Sequence, residues 1–488
     1  MGDFEAIPYR IRIGVTGHRK LEDPAAVQAA VKRAIDDEVE NMFPEKTRQN
    51  IERIRRAGTT AITFRVLSPL AEGADRVVAR AVLDCPGARL DVVLPLTLED
   101  YLEEFATEES RKEFKELLGR CRKPVPLRTR RIRDDRPDPG DQAELRRQAY
   151  RQAGQYVVDH CDVLIAVWDG QPSRGRGGTA ETIQYALDQN RPIIRVWGGS
   201  FEVLNRDNNN GLDASALDAI DRFNRQAITP EQRASYVKNL DREQFIRPKT
   251  ALQIPASVRK FVNEHLFPCY AQASIMAKEC QNQFHRAGKF IYVLCAAAVG
   301  CAALGVLFPS LAGAGFTAEL VLLIIISLTL RQARRKHSHQ GWIENRFLAE
   351  RIRSGIFMAI CGVEPRPIEV LPYMGHSQTV NDWTVRVFDE IWDHLPPFSG
   401  CSQENCSILN SYVREVWIGE QVKFHEDKKE REGRARKRLA TASMIVLPTT
   451  IAAAALHLLL LLWHPAAAEP ESLHLLHQWL HRGLAFIA

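Results

Sequence analysis

Three short segments of this chain concentrate residues that bind anions and move protons. The first is Gly14-Val-Thr16-Gly17-His18-Arg19 and the second Ser68-Pro-Leu70-Ala71-Glu72-Gly73-Ala74-Asp75. The third is Asp169-Gly170-Gln-Pro-Ser-Arg174-Gly175-Arg176-Gly177-Gly178-Thr179-Ala-Glu181. Each is a small-residue turn that opens into a helical pattern. Glycine lets a ligand approach the backbone, and the free N–H groups of a helix N-terminus attract phosphate. Thr16 and Thr179 add hydroxyl donors, while Arg19 and Arg174 supply countercharge. Three roles are open to His18: stacking on a base, hydrogen-bonding a phosphate, or shuttling a proton. Asp75 and Glu181 fall in the first turn of their helices, where free amides and the dipole favour a carboxylate on structural grounds alone. Their functional alternatives are that Asp75 fixes the second turn or a ribose hydroxyl, and that Glu181 contacts ribose. Neither GxGxxG nor GxxxxGK[ST] occurs, which disfavours ordinary dinucleotide and P-loop triphosphate sites.

Periodicity predicts the elements that position these turns. Apolar runs at residues 10–15, 63–67, 90–94, 162–168 and 192–197 alternate with amphipathic stretches at 24–40, 74–83, 141–159 and 179–189. That alternation predicts an α/β fold, a Rossmann-like parallel sheet with helices on both faces. Ligands of such sheets bind outside the carboxyl ends of the strands, at the topological switch point. All three turns follow strands, so they are expected to converge on one site.

The turns also carry a family resemblance over about residues 8–200. Ser68-x-Leu70-Ala71-x-Gly73-Ala74-Asp75 resembles the S-G-x-A-x-G-[IA]-D motif of the DNA-processing protein A group, with Pro69 in place of a glycine. Gly177-Gly178-Thr179-x-Glu181 resembles the P-G-G-x-G-T-x-x-E motif of the LOG-type phosphoribohydrolases. One glycine is missing there, and Glu181 comes two residues after the threonine instead of three, a rotation of ~100° on a helix. Both groups belong to the SLOG superfamily of Rossmannoid domains. The resemblance implies a nucleotide-derived ligand held by Thr16, Gly17, His18, Arg19, Ser68, Gly73, Ala74, Asp75, Asp169, Arg174, Gly177, Gly178, Thr179 and Glu181, with no cofactor and no metal.

The second half of the chain has another character. Residues 290–308 and 311–330 are nearly uncharged, separated by Pro309-Ser310, and flanked by Arg286 and Lys289 before and by Arg331, Arg334, Arg335 and Lys336 after. About 20 apolar residues in helix span a hydrocarbon core of roughly 30 Å. Basic residues at the outer ends of the pair place both ends in the cytoplasm and the short turn outside. Residues 439–463 form another span-length run behind a basic segment, and 470–488 either lie on the membrane surface or re-enter it. The expectation is an all-α membrane region of three transmembrane helices, or four with re-entry. Glu319 lies within the hairpin, where an ionisable group lines a pore or sits at the outer interface. Gln281-x-x-Phe284-His285 and Gln421-x-x-Phe424-His425 each precede a span, which suggests an internal repeat. A juxtamembrane helix, two spans and a charged cytoplasmic helix at 337–362 resemble the SLATT group, two-span effector domains found beside SLOG domains in bacterial conflict systems. That resemblance implies pore formation in the bacterial inner membrane, in anti-phage defence, by a homo-oligomer in contact with lipid.

Composition fits this division. The chain has 488 residues, a formal net charge of +5 and ten cysteines without CxxC pairs or zinc spacing. Much of the positive charge is juxtamembrane, which reads as lipid contact and not as a nucleic-acid footprint. The expected layout is a ligand-binding domain at 8–200, a lid or spacer at 201–261, a hairpin domain at 262–365, a cytoplasmic connector at 366–404, and a second juxtamembrane helix with its span at 405–488. The expected function is a membrane-anchored sensor-effector. Two rivals remain: a membrane-bound nucleotide N-glycosidase using Glu181 with Arg19 or Arg174, and a single-stranded DNA-binding module using Arg128, Arg130, Arg131 and Arg133. Asp134-Asp135 beside that basic stretch weighs against the second, so no specific nucleic-acid partner is expected.

Overall fold

The structure, a computed structural model, describes residues 6–122, 124–132, 138–171, 178–204, 214–225, 228–243, 254–335, 338–362, 382–396, 410–419 and 421–434, with scattered positions to 444. The chain divides into two units, Met1–Thr229 with Pro365–Pro396, and Pro230–Glu364 with Pro397–Ala488.

The first unit is built on seven strands in the order β4-β3-β2-β1-β5-β6-β7. They are β1 (Tyr9–Gly17), β2 (Ile62–Ser68), β3 (Arg89–Leu94), β4 (Val125–Pro126), β5 (Val163–Val167), β6 (Ile193–Trp197) and β7 (Ser200–Leu204). Pairing is parallel from β4 through β6, as expected. The expectation of a wholly parallel sheet is corrected at one edge, where β7 runs antiparallel to β6. Gly198 and Gly199 cause this. Both have positive φ, 53° and 80°, and together they form a two-residue turn that pairs Trp197 with Ser200. Such left-handed turns match the twist of a hairpin.

Helices α1 (Pro24–Asp37), α2 (Glu45–Ala57), α3 (Ala74–Leu83), α4 (Leu98–Glu103), α5 (Glu108–Leu118), α6 (Pro139–His160), α7 (Thr179–Asp188) and α8 (Ala214–Arg225) complete the run to residue 225. On one face of the sheet, α1 and α3 cover Ile11, Ile13, Val15 and Val66, all buried. On the other, Val157 and Cys161 of α6 and Ile183 of α7 pack with Leu164 and Ala166 of β5. The stretch expected as lid or spacer divides between the units. Helix α8 buries Leu217, Ile220 and Phe223, and Asn224 bonds to Ile7 in the first unit.

The connector expected over 366–404 contains a helix, Trp383–Trp392, that belongs to the first unit. This return helix answers a charge pattern on the sheet. Register places Arg12, Arg65 and Arg89 side by side on adjacent strands, with Asp162 next to Arg12. Asp162 is bridged by Arg12 at 2.9 Å and by Arg386 of the return helix at 2.6 Å. Burial alone would raise the Asp162 carboxyl, but the two guanidinium groups outweigh it and hold it well below the usual range. Glu390 pairs with Arg10 at 2.7 Å and Arg65 at 2.8 Å, and Asp393 with Arg65 and Arg89. Phe223 of α8 meets Trp383, with ring centroids 5.8 Å apart.

The second unit is helical. Helix α9 (Pro230–Glu243) is followed by α10 (Ala256–Phe261), which runs through a π-helical turn at Val262–Leu266 into α11 (Phe267–Leu307). A tight turn at Pro309–Leu311 leads into α12 (Ala312–Arg335), so α11 and α12 form a hairpin, and α13 (Ser338–Cys361) packs along α11. The early part of α11 is buried through Phe267, Ala271, Ala273 and Met276, whereas Tyr292 is 79% exposed and Val299 70% exposed.

Of the three or four spans expected, one is found among the described residues: a helical stretch from Gly313 that is long and apolar enough to cross a membrane, with a mean hydropathy of 2.0 over its most apolar part. Residues 290–308 are the far part of a helix whose first half is polar or buried. Residues 445–463 and 470–488 lie outside the described residues. Glu319 is half-buried on α12. In the first copy of the Q-x-x-F-H motif Phe284 lies 4.8 Å from the His339 ring and His285 5.7 Å from Trp342, both on α13, and Phe284 and Phe424 are both exposed.

Candidate ligand-binding site

Strand order reverses at β1, whose neighbours are β2 on one side and β5 on the other. At that switch point lies a cavity of about 420 Å³. Small-molecule pockets run from ~300 to ~1,000 Å³. Thr16 and Gly17 at the end of β1, His18 and Arg19 after it, Asp75 at the start of α3, Asp169 after β5, and Gly178 and Thr179 at the start of α7 all line it. The three turns therefore meet in one place. Helix α7 carries no side-chain cap at Gly178, so its first turn faces the cavity with backbone donors.

Four expected residues do not line the cavity. Ser68 is buried beneath it and accepts the Leu70 N–H at 3.0 Å. Gly73 and Ala74 face the neighbouring turn. Glu181 pairs with Arg151 of α6 at 3.0 Å. Arg174 and Gly177 lie outside the described residues. Conversely, Arg147, Tyr150 and Gly154 of α6, together with Trp168 at the end of β5, line the cavity without having been singled out. Positions 147, 150 and 154 recur at helical spacing, which marks a shared face, but nothing in the sequence says which face meets the site.

Gly17 and Gly73 also serve packing. A Cβ on Gly17 would collide with Ala74 and with the Val167 carbonyl. One on Gly73 would collide with the carbonyls of His18 and Arg19, and Gly73 has φ 80°. The first and second turns are pressed together and joined by the Ala74 N–H, which donates to the His18 carbonyl at 3.0 Å. Gly73→Ala is expected to lower unfolding free energy by about 1–3 kcal/mol from backbone conformation alone, with the collision added. A chemical denaturation midpoint unchanged from wild type would contradict this.

The electrostatics centre on Arg19 and Asp75. The Arg19 guanidinium lies over the Tyr150 ring, 5.1 Å from its centroid. Asp75 is 5% exposed, and its Oδ2 accepts the Ala71 N–H at 3.1 Å. Burial pushes its carboxyl up to about 7, against the Ala71 N–H, Arg19, Ser68 and Arg76, which favour the carboxylate. His18 is fixed between two neighbours. Its Nε2 lies 3.1 Å from Asp169 Oδ1, and its ring meets Trp197 edge-on at 5.6 Å. Behind the lining, Trp168 is covered by Arg195, which lies 5.4 Å from its ring centroid. The cavity thus offers fixed cations, helix-terminal amides and aromatic faces to one small molecule.

Compared with family models and with curated proteins, the sequence matches none.

Proposed function

We propose that the chain is a membrane-anchored sensor-effector of the SLOG and SLATT kind. The first unit binds a nucleotide-derived ligand in the switch-point cavity, and the helical unit disrupts or permeabilises a bacterial inner membrane in response. One observation carries the reading: a cavity bearing Arg19, Arg147 and an uncapped helix start belongs to the same chain as a span-length apolar helix. Phosphate suits such donors, and Trp168 and Tyr150 offer faces for a base. The α11–α12 hairpin is the membrane device, and several copies of the chain assemble around it. Ligand binding acts by favouring the active arrangement over the resting one. Glu181, engaged by Arg151 away from the cavity, supports sensing over N-glycosidic hydrolysis.

Reconstitution of the full-length protein in dye-loaded vesicles tests this. Addition of a panel of adenine and guanine nucleotides is expected to release dye with at least one of them. A nucleotide that is cleaved to free base without any leakage would replace the sensor by an enzyme.

A further inference from the structure

Asp75 and a bound anion would compete for the same cation. Asp75 lines the cavity, and the groups around it come from every neighbouring element. Arg19 stands on the turn after β1, Ser68 ends β2, Arg76 follows on α3, and Tyr101 approaches from α4. Arg147 and Tyr150 of α6 and Asp169 after β5 line the same cavity. Arg76 is occupied elsewhere, bonded to the Leu70 carbonyl at 3.1 Å and to Glu113 at 2.6 Å. Arg147 is paired with Glu144 at 2.7 Å. Arg19 favours the Asp75 carboxylate and lines the same cavity, so a ligand phosphate seated there shares that cation with Asp75. A phosphate beside a buried carboxylate that is 5% exposed repels it strongly.

We infer that a phosphate-bearing ligand enters this cavity together with one proton, which resides on Asp75. The inference rests on the anionic ligand proposed above and adds acidity as a second input to the same site. Burial already holds the Asp75 carboxyl at about 7, and a neighbouring anion raises it further. The protonated form keeps its hydrogen bond from Ala71 and turns from competitor to donor. The ligand then binds best below neutral pH. Above it, affinity falls toward a limit of about tenfold per pH unit, the slope for one proton taken up.

The test is calorimetric titration of the full-length protein in detergent with AMP, at pH 6 and pH 8, in two buffers of different ionisation enthalpy. Wild type is expected to take up about one proton per AMP at pH 8 and much less at pH 6, with affinity at least about tenfold weaker at pH 8. Asp75→Asn is expected to abolish both the uptake and the pH dependence. Wild type that binds AMP equally at both pH values with no proton uptake overturns the inference and leaves the nucleotide reading intact. Uptake that survives in Asp75→Asn also overturns it, by assigning the proton to another group such as His18. A protein that binds no AMP at either pH defeats the nucleotide reading, and the proton is then read without ligand. The folded pKa lies above the unfolded one, so wild type should lose melting temperature relative to Asp75→Asn as pH rises from 5 to 8. A constant difference over that range overturns the inference independently.

Discussion

A protein cut after Thr229 is expected to lose the fold of its sheet unit, and the same segment joined to residues 365–396 is expected to regain it. The return helix supplies Glu390 to Arg10 and Arg65, and Asp393 to Arg65 and Arg89. Without it Arg12, Arg65 and Arg89 stand in register on adjacent strands, where like charges opposite one another destabilise a sheet. Apolar burial goes with it. Val387, Phe388, Ile391 and Trp392 are buried on the return helix, and each such side chain contributes about 1.5–3 kcal/mol. Together these losses rival the ~5–15 kcal/mol net stability of a typical domain. Circular dichroism melts of the two proteins decide the matter: a cooperative transition at the same temperature in both would make the return helix dispensable.

Arg19→Ala is expected to weaken AMP binding by about 10–100-fold while leaving the melting temperature nearly unchanged. A hydrogen bond to a charged group contributes about 1.5–3 kcal/mol, and a guanidinium placed over an aromatic ring before the ligand arrives loses little entropy in making it. The fold is spared because the contacts that lock the turns use the His18 and Arg19 carbonyls, not the side chain. Arg19→Lys should fall between the two, since lysine keeps the charge but not the forked geometry. Equal affinity in wild type and Arg19→Ala would remove Arg19 from the site, and a large drop in melting temperature would turn it into a structural residue.

Much of the sheet unit was legible because its signals are local. Apolar, β-branched runs marked five of the strands, and Ala74–Leu83 forms the helix expected from its pattern. The edge hairpin escaped notice although Gly198-Gly199 between two short apolar runs is itself a turn signal. The return helix was harder to see because its partners, from Arg10 to Phe223, lie far away in sequence. Two traces of it exist in the chain. Arg10 and Arg12 alternate with isoleucines, which is unusual for a strand expected to be apolar on both faces, and Arg386, Glu390 and Asp393 recur at helical spacing. Each pattern reads as a solvated face alone, and only the fold brings the two faces together. At the site, the three turns converge as their positions after strands required. Arg147 and Tyr150 could not be read because a helix presents several faces and the sequence does not say which one meets a cavity. Gly17 and Gly73 have a packing role that the sequence does not separate from ligand contact, since backbone pressed against backbone demands the same residue as backbone pressed against phosphate.

Those packed glycines have a mechanical consequence. Gly17 against Ala74 and Gly73 against the Arg19 carbonyl fasten the turns of β1 and β2 into one stiff jaw. Gly154, with no room between it and Thr182, fastens α6 to α7 as the opposing jaw. Close-packed interiors transmit strain instead of absorbing it. A molecule seated between the jaws therefore meets two stiffened walls, and its fit depends on how far one stands from the other.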